Sequence, residues 1–151
     1  MRFSAVLAGL GSFGMSNQLP TPRLRSTSHP QQGRAQLSIS IPEESLNSSS
    51  GSGDLYMQIA GPSDFPWTAF GMGSSMSDAT IFVIYPTGDG SSVTLSPRRS
   101  SGHFQPSYNE DVQVRLVTEG PGIAGGIITA NFKCYNCVRY LSSIDGNADW
   151  I

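Results

Sequence analysis

Cys134 and Cys137 are the two cysteines of the 151-residue chain, and they stand in a C-x-x-C spacing. This spacing occurs in structural disulfides, in redox motifs and in halves of zinc sites. Zinc would need two further ligands, for which the chain offers only the histidines His29 and His103. A thioredoxin-like redox motif begins a helix within a βαβ pattern, which this sequence lacks. A structural disulfide is therefore favoured over a zinc site and over a redox motif.

Other catalytic arrangements are weakly represented. No Ser-His-Asp set and no pair of carboxylates stands in a recognisable context, because Asp54, Asp78 and Asp111 all lie in turn-like segments. The glycines of Gly71-Met72-Gly73 are followed by two serines and Met76, which does not make the G-x-G-x-x-G motif of dinucleotide-binding domains. Classical hydrolysis and an internal flavin domain are both disfavoured.

The charge of the chain points away from polyanionic partners. Charged residues make up 13% of the sequence, and nine basic and eleven acidic residues give a net charge of −2 without a run of either sign. A protein that binds nucleic acid or an anionic membrane surface concentrates basic residues. We therefore expect neither partner.

The N-terminus has the pattern of a secretory signal. Met1-Arg2 is followed by a short apolar stretch from Phe3 to Met15, and Gly14-Met15-Ser16 predicts cleavage near residue 17. No segment reaches the roughly 20 apolar residues of a membrane-spanning helix. Asn47-Ser48-Ser49 is a glycosylation sequon and makes Asn47 a candidate glycosylation site. We expect a secreted, extracellular protein without a membrane span, in which the two cysteines pair.

The remaining sequence predicts an all-β domain. Residues 17–34 are rich in Pro, Gln, Arg and Ser and are expected to form a leader, and Leu37, Ile39 and Ile41 then alternate with serines as in a half-buried strand. Further apolar runs are Leu55 to Ala60, Trp67 to Met72, Ala79 to Tyr85, Ser92 to Leu95, Val112 to Val117 and Ile127 to Phe132. About seven short strands with frequent turns and no helical period predict an antiparallel β-sandwich over residues 35–151. Trp150 and Ile151 look like the opening of another strand, so we expect the domain to lack its C-terminal strands.

Three segments resemble the cytochrome domain of cellobiose dehydrogenase, a fungal member of the wider DOMON group of immunoglobulin-like sandwiches. The segment from Trp67 to Asp78, leading into the apolar strand Ile81 to Tyr85, is similar to the haem-binding segment of that family. Gly102 to Tyr108 resembles a Gly-aromatic-x-Gln-Pro stretch, and Phe132 to Cys137 resembles the strand end that bears a disulfide. The order and spacing of the segments agree, and the resemblance extends from about Pro30 to the last residue.

This resemblance implies a haem b held between a methionine and a histidine. By position the methionine is Met76, whereas Met72 lies on the preceding strand with the opposite phase and is expected in the core. The family histidine lies near the C-terminal end of the domain, so the second axial ligand is expected beyond Ile151. His103 aligns with an aromatic position rather than with that ligand. The residues predicted to contact the cofactor are Met76, Trp67, Phe82, Tyr85 and His103.

The function implied by the resemblance is single-electron transfer in lignocellulose oxidation or iron reduction, by a domain of an oxidoreductase rather than by a complete enzyme. The implied redox partner is a flavin dehydrogenase domain or a copper-dependent polysaccharide oxygenase. One alternative is a carbohydrate-binding sandwich that uses exposed aromatics such as Trp67, Tyr108 and Tyr140. Another is an inactive, truncated cytochrome domain.

Overall fold

A computed structural model describes residues 34–46, 52–117, 122–144 and 148–151 and shows short strands in two antiparallel sheets. Its strands are β1 (Gln36–Ser40), β2 (Leu55–Pro62), β3 (Thr68–Met72), β4 (Ser77–Pro86), β5 (Val93–Ser101), β6 (Ser107–Tyr108), β7 (Val114–Leu116), β8 (Ile123–Ala124) and β9 (Ile127–Cys134). A short helix, α1 (Glu43–Leu46), follows β1, and a 3₁₀ turn (Cys137–Tyr140) follows β9. The predicted antiparallel β-sandwich is confirmed.

The first sheet has the strand order β1-β2-β9-β7, with β8 also paired to β9. Buried and partly buried residues alternate along β2, where Leu55, Met57 and Ile59 are buried. The partner strand β9 turns its own alternate residues, including Phe132, to the same side. Period-two alternation leaves one face of this sheet for the core, as the sequence predicts.

The second sheet has the strand order β3-β4-β5-β6. Its strand β4 pairs with β3 on one side and with β5 on the other, as expected for a run that is apolar on both faces. Phe82 and Ile84 turn inward, whereas Ile81 and Val83 lie on the outer face. The second sheet therefore has apolar side chains on both of its sides.

The core lies between the two sheets. The rings of Phe82 and Phe132 meet there with a centroid separation of 5.4 Å, and both side chains are fully buried. Burying a large apolar side chain contributes about 1.5–3 kcal/mol, so this layer supplies the main attraction between the sheets. Met72 is 2% exposed and belongs to the same cluster, which confirms its predicted place in the core.

The structure refines several predicted segments. A four-residue helix, α1, lies between β1 and β2 although the sequence shows no helical period, and β5 continues six residues past Leu95, where the predicted apolar run ends. None of the helices in the described ranges is long and apolar enough to cross a membrane. The predicted signal, nearly all of the predicted leader, His29 and Asn47 fall outside the described residues.

The predicted disulfide is present at one end of the sandwich. Cys134 and Cys137 are bonded, with a Cα–Cα distance of 5.6 Å. Beside them, the Nζ atom of Lys133 lies 2.6 Å from a carboxylate oxygen of Asp54, and the other oxygen accepts a hydrogen bond from the backbone N–H of Asn136. These contacts tie the turn after β9 to the start of β2.

Opposing effects set the protonation of this ion pair. Burial raises the pKa of Asp54, but the hydrogen bond and charge of Lys133, together with the Asn136 N–H, bring that pKa below its ordinary value of 3.8. The hydrogen bond to Asp54 raises the pKa of Lys133 above 10.5. Both groups are therefore ionised throughout the neutral pH range.

Candidate functional site

A cleft of about 500 Å³ lies on the outer face of the second sheet, on the side opposite the core. Its floor consists of two cross-strand pairs, Ala69 with Val83 and Gly71 with Ile81. Residues directly opposite each other in an antiparallel pair project to the same face, so these four residues form one apolar surface. The volume is within the range of small-molecule and cofactor sites.

The walls of the cleft come from the start of β3, the segment before β6 and the C-terminus. Trp67 immediately precedes β3 and is 59% exposed. Gln105 and Pro106, in the segment between β5 and β6, form a second part of the wall, and Ile151, the last residue, forms a third. The cleft is thus a slot whose floor is sheet and whose sides are loops.

Met76 lines the cleft because of a bulge at the start of β4. Ser77 pairs with Ser101 and Thr80 with Arg99, so three steps along β4 face two steps along β5. The extra residue shifts the alternation by one, and Asp78 takes a left-handed conformation with φ of 61°. The N–H of Gly102 donates to the Met76 carbonyl at 3.2 Å, which places Met76 opposite Gly102. Met76 therefore shares the outer face with Arg98.

Arg98 is a cation at the edge of this apolar slot. It pairs with Ile81 on one side and with Tyr108 on the other, and its side chain is partly buried. Its Nε–H donates to Ser96 Oγ at 2.9 Å, and its Nη1 lies 3.5 Å from the carbonyl oxygen of Pro106. The guanidinium group is therefore held toward the cleft by its own strand and by the facing loop.

The last residues of the chain lie along the free edge of β3. Gly71 and Ile151 exchange two backbone hydrogen bonds, of 2.8 and 3.0 Å, and Trp150 forms a bridge with Met72. Trp150 and Ile151, which were predicted to begin a strand, thus pair with β3 through an isolated bridge and are not assigned to a strand. A Cβ atom on Gly71 would lie 2.7 Å from Cγ1 of Ile151, so the glycine makes room for that side chain.

The structure brings together two of the five predicted cofactor contacts. Met76 and Trp67 both line the cleft. Phe82 does not, because it projects from the opposite face of β4 into the core against Phe132. Tyr85 lies on the outer face of β4 beyond Val83, and His103 is an exposed residue of the loop after β5; neither is part of the cleft wall.

Sequence reasoning missed the cleft residues whose position depends on cross-strand register. They are Ala69, Phe70, Gly71, Arg98 and Ile151. Gln105 and Pro106 also line the cleft, and they lie within the segment from Gly102 to Tyr108 that carries the resemblance. The sequence did not mark Arg98 as a site residue, because a basic residue after Pro97 is typical of a solvent-exposed strand end.

The arrangement suits a flat apolar ligand that carries a metal. The slot offers one soft thioether from Met76 and one guanidinium from Arg98 on an otherwise largely apolar lining. A thioether is a ligand for haem iron in Met/His sites. In the part of the chain that the structure describes, no histidine contributes to the lining. The residues present fit a haem, with Met76 as the one thioether in the lining.

Comparison with known proteins identifies the family. Residues 21–150 match the family model of the cytochrome domain of cellobiose dehydrogenase. The chain belongs to this family. The match begins within the predicted leader, and it confirms the resemblance found in the three sequence segments. No curated protein matches the chain.

Solved structures with a similar fold are also cytochrome domains. The cytochrome b domain of pyranose dehydrogenase from Coprinopsis cinerea has a TM-score of 0.54 and 21% identity, over 68% of this chain and 51% of that chain. The cytochrome domain of cellobiose dehydrogenase from Myriococcum thermophilum has a TM-score of 0.54 and 19% identity, over 76% of this chain and 53% of that chain. This chain spans about half the length of both structures.

Proposed function

We propose that this chain binds haem b in the cleft on the outer face of the second sheet and carries single electrons. The observation that carries the proposal is the position of Met76, whose bulge places a thioether on the same face as the apolar floor. Membership of the cellobiose dehydrogenase cytochrome family supports the choice of haem b.

Each part of the cleft has a separate task in this proposal. The short or branched side chains of Ala69, Ile81 and Val83, with Gly71, offer a flat apolar surface to one face or edge of a porphyrin. Met76 supplies the sulfur ligand, and Trp67 covers part of the slot from solvent. When bound, haem b supplies a one-electron iron couple whose potential is raised by methionine ligation.

The second axial ligand is proposed to be a histidine that follows Ile151 in a longer protein. Ile151 itself lies in the cleft wall, so residues after it would start beside the site. Without such a histidine, the bound haem should be five-coordinate or carry a water ligand, and binding should be weak.

The proposed electron partner is a flavin dehydrogenase domain or a copper-dependent polysaccharide oxygenase outside the cell. The support is the family, since cellobiose dehydrogenase joins its cytochrome domain to a dehydrogenase. The open side of the cleft, next to Trp67, is where such a partner could approach the haem edge.

Titration of the 151-residue chain with haem tests the proposal. The Soret band should shift and saturate at one haem per chain. Met76→Ala should remove the ligand-dependent part of the spectrum, and Met76→His should restore ligation with a different spectrum, since imidazole also binds haem iron. Circular dichroism of each variant checks the fold. Identical haem spectra for the parent and Met76→Ala would show that Met76 is not a ligand.

Carbohydrate binding is the second candidate. Trp67 and Tyr108 are both 59% exposed and lie on the outer face of the second sheet, as sugar-stacking residues would. Tyr140 is partly buried, and its ring contacts Arg139. Retardation of the chain in gels that contain soluble cellulose or xylan, abolished by Trp67→Ala, would support this function.

A further inference from the structure

Arg98 and Arg99 are neighbours on β5 that occupy contrasting environments. The guanidinium group of Arg99 forms a 2.9 Å ion pair with Asp111 on an exposed surface. Arg98 lines the cleft and has no carboxylate within ion-pair distance among the described residues. The two side chains therefore form a natural pair for comparison.

The contacts of Arg98 orient its charge without neutralising it. Both of its acceptors, Ser96 Oγ and the Pro106 carbonyl, are neutral oxygens. A guanidinium group has five N–H donors, so three are left for a ligand. The lining of the cleft contains no Asp or Glu side chain. A positive charge with spare donors thus faces an apolar slot.

An anion is the chemical complement of this arrangement. Arginine recognises carboxylates through two parallel hydrogen bonds, and such bonds are stronger where water is partly excluded. The floor of the slot selects flat apolar ligands, and the edge selects ligands that carry an acidic group.

We propose that Arg98 is a specificity-determining residue that binds a carboxylate of the ligand held in the cleft. This inference rests on the proposed function, and the carboxylate is then a propionate of haem b. With Met76 and Arg98 both on the outer face of the sheet, the propionate contact fixes which edge of the porphyrin lies toward β5. Arg98 thereby sets the rotation of the ring in the slot, as well as adding affinity.

Two porphyrins separate this contact from general haem binding. The first is haem, and the second is haem dimethyl ester, in which both propionates are esterified and uncharged. Dissociation constants for each are measured by Soret absorbance with the parent chain and with Arg98→Gln, Arg98→Lys and Arg99→Gln. Loss of one charge-assisted hydrogen-bonded contact should weaken haem binding by about 10- to 100-fold in Arg98→Gln.

The ester should bind the parent chain more weakly than haem does, and Arg98→Gln should change ester binding by less than about threefold. Arg98→Lys should recover part of the haem affinity, because it keeps the charge but not the planar fork. Arg99→Gln should leave both affinities unchanged, since its partner is Asp111 on the surface.

The outcomes distinguish this inference from the proposed function. Equal haem affinity in the parent and Arg98→Gln, with Met76→Ala still altering the spectrum, would overturn the role of Arg98 alone. Equal losses for haem and for the ester in Arg98→Gln would mean that the arginine only supports the cleft wall, and would also overturn it. A parent chain without a saturable Soret shift would overturn the proposed function and this inference together.

Discussion

The two faces of β4 contact two apolar regions of different construction. On the inner face, Phe82 and Ile84 are completely buried against the first sheet. On the outer face, Ile81 and Val83 form the floor of a cleft whose walls include the 59% exposed Trp67. The inner region is closed by protein, and the outer region is open on one side.

The difference between the two faces separates residues that stabilise the fold from residues that form a binding surface. In a two-layer sandwich the outer face of an antiparallel sheet is usually solvated and polar. An apolar outer face therefore adds little to the contact between the sheets. Exposing it to water is unfavourable, and this unfavourable exposure is removed when a ligand or a partner covers the face. Substitutions on the inner face should change stability, and those on the outer face should change binding.

The largest expected effect is that of Ile84→Ala compared with Ile81→Ala. These residues have the same side chain on the same strand but project to opposite faces. Truncation of Ile84 leaves a closed cavity and should lower the free energy of unfolding by about 4 kcal/mol. Ile81 is 7% exposed but borders the cleft rather than the closed core, so its truncation should cost less, about 2 kcal/mol.

Urea denaturation followed by far-UV circular dichroism measures both losses. Haem affinity, measured on folded protein, should fall in Ile81→Ala and stay within about twofold of the parent in Ile84→Ala. Equal stability losses in the two variants would break the distinction between the faces.

The next largest effect compares Met72 with Met76. Met72 is in the core, so Met72→Ala should destabilise the chain by about 2–3 kcal/mol. Met76 lines the open cleft, and Met76→Ala should cost less than about 1 kcal/mol while altering the haem spectrum. Thermal unfolding of the two variants without haem gives the stability comparison, and a larger loss for Met76→Ala would contradict it.

The smallest effect compares two glycines. A Cβ atom on Gly61 would collide with the buried side chain of Thr68, and Gly61→Ala should cost about 1–3 kcal/mol through overpacking. A Cβ atom on Gly71 would meet chiefly the terminal side chain of Ile151, which is 37% exposed and can move. Gly71→Ala should therefore cost less than about 1 kcal/mol and should narrow the cleft. Chemical denaturation distinguishes the two, and a reversed order would show that the wall at Ile151 is rigid.

Much of the fold could be predicted because alternation is a local signal. As predicted, Leu37 and Ile39 pack against the core, and Met72 is buried. The run of Ile81 to Ile84, which is apolar on both faces, lies in an internal strand. Within the candidate site, Trp67 and Met76 were named from the resemblance and both line the cleft.

The remaining site residues could not be predicted, because they depend on register and on irregularity. Arg98 faces the cleft because it pairs with Ile81, and that pairing is set across strands far apart in sequence. Counting back by two from Ile81 reaches Ser77 and misses Met76, since the bulge changes the phase. Phe82 was grouped with the cofactor contacts because a strand apolar on both faces does not reveal which side holds the ligand.

The pairing of the last residues with β3 bears on how separate molecules of this protein meet. β4 occupies one side of β3, and the backbone hydrogen bonds from Gly71 and Gly73 to Ile151 and Asp149 occupy the other. The unpaired edge of a strand can pair with a strand of another chain. If the edge of β3 were unpaired, it would lie beside the apolar cleft. Residues 149–151 thus cover the backbone edge of β3. In molecules without them, this edge would be free to pair with the β3 edge of another molecule, which would favour dimers or longer aggregates.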